Sequence, residues 1–250
     1  MIPLDDGFNE DLAADSWDSR TRRLIGDEAA GRLEGARVLV VGMGGVGGYA
    51  AEMLVRSGVG HISMIDADEV AVSNINRQLV ATHSSVGMPK VLLYAMRFHD
   101  INPCADLRTM HAFLTADNIE EVLSEGYDFV IDAIDTVAPK TALLSYCMRR
   151  RIPVISSMGA GGRVDASKVG YLDLWQTAND GLAKAVRTRL RKEGIRGKLK
   201  VVASSEIPAA RSLLRVNTQN KLTSLGTLAP VTATFGILLA NYAIRKIAGI

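Results

Sequence analysis

From Ala36 onward, short runs of β-branched residues alternate with longer stretches of helical spacing. Arg37–Val41 is a continuous apolar strand that opens directly into glycines. Residues 45–57 come next as a helix, with Ala50, Ala51, Leu54 and Val55 spaced to share one apolar face. His61–Ile65 is a second strand ending at Asp66, and residues 91–102 form a helix that stops before Pro103. Residues 107–111 make a third strand, and 115–124 a helix that Thr115 is placed to cap. Residues 127–133 read as a strand, 139–150 as a helix opened by Pro139, and 153–157 as another strand. Fully apolar strands have no solvent face, so each must be covered on both sides. The expected fold is therefore α/β: a Rossmann-like, mostly parallel sheet with helices on both faces.

After Gly162 the rhythm changes. Residues 168–174 and Lys200–Ser204 have strand patterns, a basic helix lies between them at about Gly181–Lys192, and residues 232–246 close the chain as a helix. With no internal repeat and no low-complexity linker, the expected organisation is a flexible segment over residues 1–19 and one domain over 20–250. Within that domain, 20–162 would be the nucleotide-binding half and 163–250 the substrate-side half.

Composition narrows the setting more than the activity. Hydrophobic residues make up 48% of the chain and charged residues 22%, enough for a full core. A net charge of +2 says nothing by itself about nucleic acid or membrane. Cys104 and Cys147 have no paired spacing, which fits a reducing, cytoplasmic compartment and excludes a four-cysteine zinc ribbon. Residues 1–19 are acidic without an apolar run, unlike a signal peptide. The most apolar stretch, 230–244, is interrupted by Thr232, Thr234 and Asn241, whereas a bilayer span needs about 20 apolar residues. It reads as a buried C-terminal helix, with peripheral attachment to a membrane surface as the second reading.

Strand, then Gly42-Met43-Gly44-Gly45-Val46-Gly47, then helix is the context of a nucleotide fingerprint. Glycines let backbone N–H groups approach phosphates, and the helix N-terminus contributes a favourable dipole. Asp66, 19 residues after Gly47, stands where a carboxylate accepts hydrogen bonds from ribose hydroxyls. This much is compatible with NAD, FAD or ATP. The segment beyond Asp66 narrows the choice: Ser73-Asn74-Ile75-Asn76-Arg77-Gln78 leads to Gly87-Met88-Pro89-Lys90. Two cations beyond the ribose suit the β and γ phosphates of ATP. Asp132-Ala133-Ile134-Asp135 ends the 127–133 strand, in the crevice where such sheets bind ligands, and a carboxylate there suits Mg²⁺.

The motifs GMGGVGG, IDADEV, SNINRQ, VGMPK and DAIDT stand in an order that resembles the ubiquitin-activating-enzyme-like superfamily, with its ThiF and MoeB adenylating enzymes. Within it the chain is most similar to the tRNA threonylcarbamoyladenosine dehydratases. That closer likeness rests on residues 19–26, Ile101-Asn102-Pro103, Ser145-Tyr146-Cys147, Arg151-Ile152-Pro153 and 158–162, and on 180–191. By resemblance, Gly42, Gly44, Gly45 and Gly47 approach the phosphates of ATP and Asp66 holds the ribose. Asn74, Arg77, Gln78 and Lys90 would surround the triphosphate, and Asp135 would hold Mg²⁺. Arg20 matches an arginine that reaches the ATP of the opposite subunit, which implies a homodimer.

The resemblance also implies a reaction: ATP adenylates the threonylcarbamoyl carboxylate beside the tRNA anticodon, and ring closure expels AMP. The alternative is activation of a small sulfur-carrier or ubiquitin-like protein at its C-terminus. Carrier activators commonly have two CxxC pairs, and thioester-forming relatives need a cysteine in the later region. This chain has no CxxC pair, and residues 158–250 contain no cysteine. Sulfur-relay proteins remain a further partner class. Between Lys184 and Lys200, Glu193 is the one acid among eight cations, and Arg187, Arg189, Arg191 and Lys192 are the expected tRNA contacts. Gly181 replaces the proline that relatives tend to have after the aspartate, so the start of this helix is expected to differ. Glu206 could face the substrate, and the four histidines have no ligand spacing.

Overall fold

β1 (Arg37–Val41) is central because both of its faces are apolar: Val38, Leu39, Val40 and Val41 are all buried. Side chains alternate along a strand, so Val38 and Val40 enter one hydrophobic cluster and Leu39 and Val41 another. The structure, a computed structural model, describes residues 16–209, 212–218 and 221–250. The expected flexible segment therefore falls almost wholly outside the described residues.

β1 pairs in parallel with β2 (His61–Ile65) on one side and β4 (Phe129–Asp132) on the other. β3 (Asp106–Met110) extends the sheet beyond β2. Beyond β4 come β5 (Val154–Ser157) and β7 (Lys200–Ser204), both parallel, and then β6 (Val169–Asp173), antiparallel to β7. The seven-stranded order is β3-β2-β1-β4-β5-β7-β6. This is the expected α/β architecture with one antiparallel edge.

On one face, α3 (Gly47–Arg56), α4 (Lys90–Ile101) and α8 (Ala229–Ala248) bury Ala50, Leu54, Tyr94, Phe98, Phe235 and Leu239 against Val38, Val40, Ile62 and Ile131. The other face carries α5 (Ile119–Ser124) and α6 (Val137–Arg150), which pack Leu123, Leu143 and Cys147 on Leu39, Val41 and Val130. α7 (Gly181–Lys192) adds Ala183, Val186 and Leu190 to a third cluster with Leu144 and Val201. Each such fully buried Val, Leu or Phe contributes about 1.5–3 kcal/mol over exposure.

Three expectations are corrected. The 115–124 helix forms only over Ile119–Ser124, with Asn118 rather than Thr115 at its N-cap position and no side-chain cap. Thr115 and Asn118 exchange side-chain-to-backbone hydrogen bonds, 2.8 and 3.4 Å, which hold a turn ahead of the helix. The closing helix is longer than 232–246, because Pro230 sits in its first turn, where a missing N–H costs nothing. α1 (Ser19–Ile25), α2 (Asp27–Glu34) and the antiparallel hairpin of β8 (Leu213–Thr218) and β9 (Lys221–Leu225) were not expected. At Gly181 the change of residue leaves the helix start intact: Asp180 Oδ1 accepts the Ala183 N–H at 2.9 Å and caps α7. No helix among the described residues is long and apolar enough to cross a membrane.

Candidate nucleotide site

β1 leads to α3 on one face of the sheet and β4 leads to α6 on the other, so the connections diverge between these two adjacent strands. Divergence opens a crevice at their carboxyl ends. The glycine loop fills the β1 side. Gly42 has a φ of +90°, and a Cβ at Gly47 would lie 1.7 Å from the Gly42 carbonyl oxygen. Only glycine lets the chain turn back on itself here and start α3 at once. Across the crevice, a Cβ on Gly42 would meet the Ala133 carbonyl oxygen at 2.8 Å, so the glycine loop and the loop after β4 lie against each other.

The loop after β4 is anchored from beneath. Asp132 and Lys140 are fully buried, with Lys140 Nζ donating to Asp132 Oδ2 at 2.5 Å and to Ser156 Oγ at 3.1 Å. Ser156 Oγ donates to the same carboxylate oxygen at 2.6 Å, while Asp132 Oδ1 accepts the Ile134 N–H at 3.1 Å. Every polar side chain of the cluster thereby finds a partner, the condition for burying charge. Asp132 is thus an internal anchor, and Asp135, three residues on, is exposed at the crevice. Lys140 and Ser156 did not stand out in the sequence. A lysine in the first turns of a helix, close behind a strand-end aspartate, was the available signal.

Asp66 ends β2 on the opposite flank. Its Oδ2 accepts the Met43 N–H at 2.6 Å and its Oδ1 the Asp68 N–H at 2.7 Å. Burial raises its carboxyl above the usual aspartate range, against the opposing charge of nearby Lys90. Lys90, itself buried at the start of α4, donates to Asp68 Oδ2 at 2.7 Å. Asn74 is buried in a 3-10 turn, where its Oδ1 accepts the Ala71 N–H at 3.1 Å. Arg77 lies over the glycine loop: a Cβ at Gly45 would sit 3.1 Å from the Arg77 Cγ. Burial depresses its guanidinium below the usual arginine range, while the charge of Asp135 pulls it back up. Arg77 Nη1 donates to the Ser73 carbonyl at 2.6 Å and Asn76 Oδ1 at 2.9 Å. Gln78 is buried, and its Oε1 has no hydrogen-bond partner among the described residues.

The structure thus brings together Gly42, Gly44, Gly45, Gly47, Asp66, Asn74, Arg77, Gln78, Lys90 and Asp135 around one crevice. Arg20 lies apart, exposed on α1. Of the basic cluster, Arg189, Arg191 and Lys192 are exposed near the end of α7. Arg187 corrects the expectation of four outward cations: its guanidinium turns inward to the Leu174 carbonyl at 3.2 Å, the Thr177 carbonyl at 2.9 Å and the Thr177 hydroxyl. Glu206 is likewise structural, since its carboxylate accepts the Val164 and Asp165 N–H groups. Cys147 is buried, with its thiol pushed up to about 12 by burial and the charge of Asp132.

The ThiF family profile matches residues 18–250. The chain belongs to the ThiF family. It is 38% identical to the tRNA threonylcarbamoyladenosine dehydratase of Escherichia coli over 94% of its own length and 96% of the relative's. It is 45% identical to the tRNA threonylcarbamoyladenosine dehydratase of Bacillus subtilis, over 76% of its own length and 75% of the relative's. The crystal structure of the E. coli dehydratase in complex with ATP superposes with a TM-score of 0.86 at 38% identity, over 93% of each chain.

Proposed function

We propose that this chain is an ATP-dependent tRNA threonylcarbamoyladenosine dehydratase. The carrying observation is the match along nearly the whole length to the E. coli enzyme, whose structure holds ATP. In the reaction, an oxygen of the threonylcarbamoyl carboxylate attacks the α-phosphorus of ATP. The bond to pyrophosphate breaks and an acyl-adenylate forms. A nucleophile within the same threonylcarbamoyl group then attacks the activated carbonyl, loses its proton and expels AMP. The modified adenosine is left one water lighter. The cycle needs no enzyme nucleophile, consistent with the inert, buried Cys147.

The crevice fits ATP on two observations. A Cβ at Gly44 would meet only Gln78 Nε2, at 3.6 Å, so the loop leaves open space there. The buried Gln78 Oε1 also lacks a partner that a bound molecule would supply. Asp66 would accept ribose hydroxyls with its remaining lone pairs, and the N-terminus of α3 with Gly44 and Gly45 would face the phosphates. Arg77 and Lys90 would meet the charge that develops on the departing pyrophosphate. Asn74 shapes the loop that carries both Arg77 and Gln78.

Among the described residues no group of three or more His, Cys, Asp or Glu side chains could cage a metal. One carboxylate plus phosphate oxygens is the usual Mg²⁺ arrangement, and Asp135 is the residue that would supply it. Mg²⁺ bound there would neutralise phosphate charge. The assembly is read as a homodimer in which Arg20 reaches the partner's nucleotide. Support comes from α1, which buries none of its residues and leaves Leu24 85% exposed. Arg189, Arg191 and Lys192 are read as tRNA contacts.

The deciding experiment incubates the protein with ATP, Mg²⁺ and threonylcarbamoyl-modified tRNA, followed by mass analysis of the nucleosides. Loss of one water with release of AMP is expected. If AMP forms only when a diglycine-tailed carrier protein is supplied, the chain is instead a carrier activator.

A further inference from the structure

The end of the sheet opposite the glycine loop holds a cleft of about 910 Å³. It lies where β4, β5 and β7 begin, between α2, α6 and α8, and its lining includes the buried Phe129 and Leu199. We propose that this cleft, through Arg151, Lys198 and Lys200, grips the phosphodiester backbone of the RNA substrate at a second site remote from the nucleotide crevice. The inference rests on the reading of the chain as an RNA-modifying enzyme.

Charge at the cleft points to an anion. Lys198, Lys200 and Arg151 are exposed there, and none forms an ion pair with a described carboxylate. Among neighbouring cations, Arg149 pairs with Glu193, Arg150 with Glu120, Arg32 binds the Ala248 carbonyl and Glu28, and Lys246 lies over the Tyr242 ring. The one acid in the lining, Asp128, accepts the Arg37 backbone N–H at 2.8 Å. A cleft with this balance attracts anions rather than acceptor-poor or cationic partners.

Backbone conformation supports the same ligand independently. Arg151 caps α6 with φ +58° and ψ +31°, in the left-handed region where glycine is the usual residue. Arginine gains nothing for the turn itself, and its side chain is exposed on the lining of the cleft. Its guanidinium makes no hydrogen bond or ion pair within the described residues.

Geometry supplies the path. α7 starts at the carboxyl edge of the sheet, where Asp180 Oδ2 accepts the Gly159 N–H at 2.9 Å, and runs back to the amino edge. Its 12 residues cover about 18 Å at 1.5 Å per residue. Exposed Arg189, Arg191 and Lys192 lie in its last turns, and Lys198 and Lys200 come next at the entry to β7. The amino-edge end of this flank is therefore cationic and runs into the cleft. An RNA with its modified base in the crevice would reach that flank by extending about 18 Å along α7, and a row of spaced charges suits phosphodiesters better than a compact acidic protein.

The test uses the full chain with two variants, Arg151→Gly and the triple change Arg151→Gly, Lys198→Gln, Lys200→Gln. Glycine suits the left-handed turn, so Arg151→Gly should melt no lower than wild type while removing the charged side chain. Binding of threonylcarbamoyl-modified tRNA is measured between about 50 and 200 mM salt, where each lost phosphate contact reduces the log–log slope by about 0.7–0.9. The triple variant should bind at least about tenfold more weakly at the lower salt, with a slope reduced by about two, while ATP binding measured by calorimetry is unchanged. An unchanged slope overturns the proposal, as does a loss of affinity for an acidic protein partner with tRNA binding intact. Wild-type dehydration is scored separately by nucleoside mass. Absence of that product with normal, salt-dependent tRNA binding sinks the enzymatic reading and leaves the cleft standing.

Discussion

Two demands pull the proton affinity of Asp66 in opposite directions. Its proposed role at the ribose calls for an ionised acceptor, yet burial raises its carboxyl above the ordinary aspartate range. Its contribution to folding is therefore greatest while protonated, below the unfolded value, and is lost as pH rises through the folded value. Ligand binding runs the other way. Affinity for ATP should fall on acidification at a pH above the ordinary aspartate value of about 3.9. Calorimetric titrations across mildly acidic pH should show this, and Asp66→Asn should bind weakly with no such dependence. Lys140 is a second residue whose effect depends on burial. Removing it as Lys140→Met leaves the Asp132 charge buried without compensation, at a cost of about 3–5 kcal/mol by urea unfolding. Adding Asp132→Asn should recover part of that loss, because the desolvated charge is gone.

At the level of elements, α7 separates cations that hold the fold from cations that face outward. Arg187 is bonded to two carbonyls and a hydroxyl of the segment before the helix, so Arg187→Ala should destabilise by about 1–3 kcal/mol. Its salt slope for tRNA binding should match that of wild type. Neutralising Arg189, Arg191 and Lys192 together should reverse the pattern: little change in melting temperature, weaker tRNA binding and a flatter salt dependence. Comparing the two variants in the same binding and melting assays decides whether the basic stretch acts through packing or through RNA. The same element also shows why Gly181 is tolerated. Asp180 caps the helix through its side chain, so the first helical position needs only a residue that keeps out of the way.

The whole-molecule prediction concerns assembly. If Arg20 completes the partner's site, then Arg20→Ala and Lys90→Ala subunits are each inactive alone but complement each other when mixed. Equal mixing makes half of the dimers mixed, each with one intact site, so about a quarter of wild-type activity should return. No recovery after verified subunit exchange would place Arg20 in its own subunit's chemistry or outside it. The exposed Leu24 and Trp17 should become protected in the dimer, which hydrogen exchange over α1 and α2 would register.

Local pattern alone determined the sheet strands, most of the helices and the nucleotide crevice. Burial on both faces leaves a continuous apolar run, and a glycine-rich turn has a short, rigid grammar that survives in one dimension. Arg77, Lys90 and Asp135 were legible because their spacing from that turn sets their place at the crevice. Tertiary structure decided which polar residues were spent inside the protein. Arg187 and Glu206 looked free in the sequence, but their partners lie in segments 10 or more residues away. Lys140 and Ser156 gained meaning only when β4, β5 and α6 brought them to Asp132. The amino-edge cleft was invisible for the same reason: Arg151 and Lys200 are far apart in the chain and become neighbours only through sheet order. Pattern reports whether a residue can be buried, and only packing reports what it meets there.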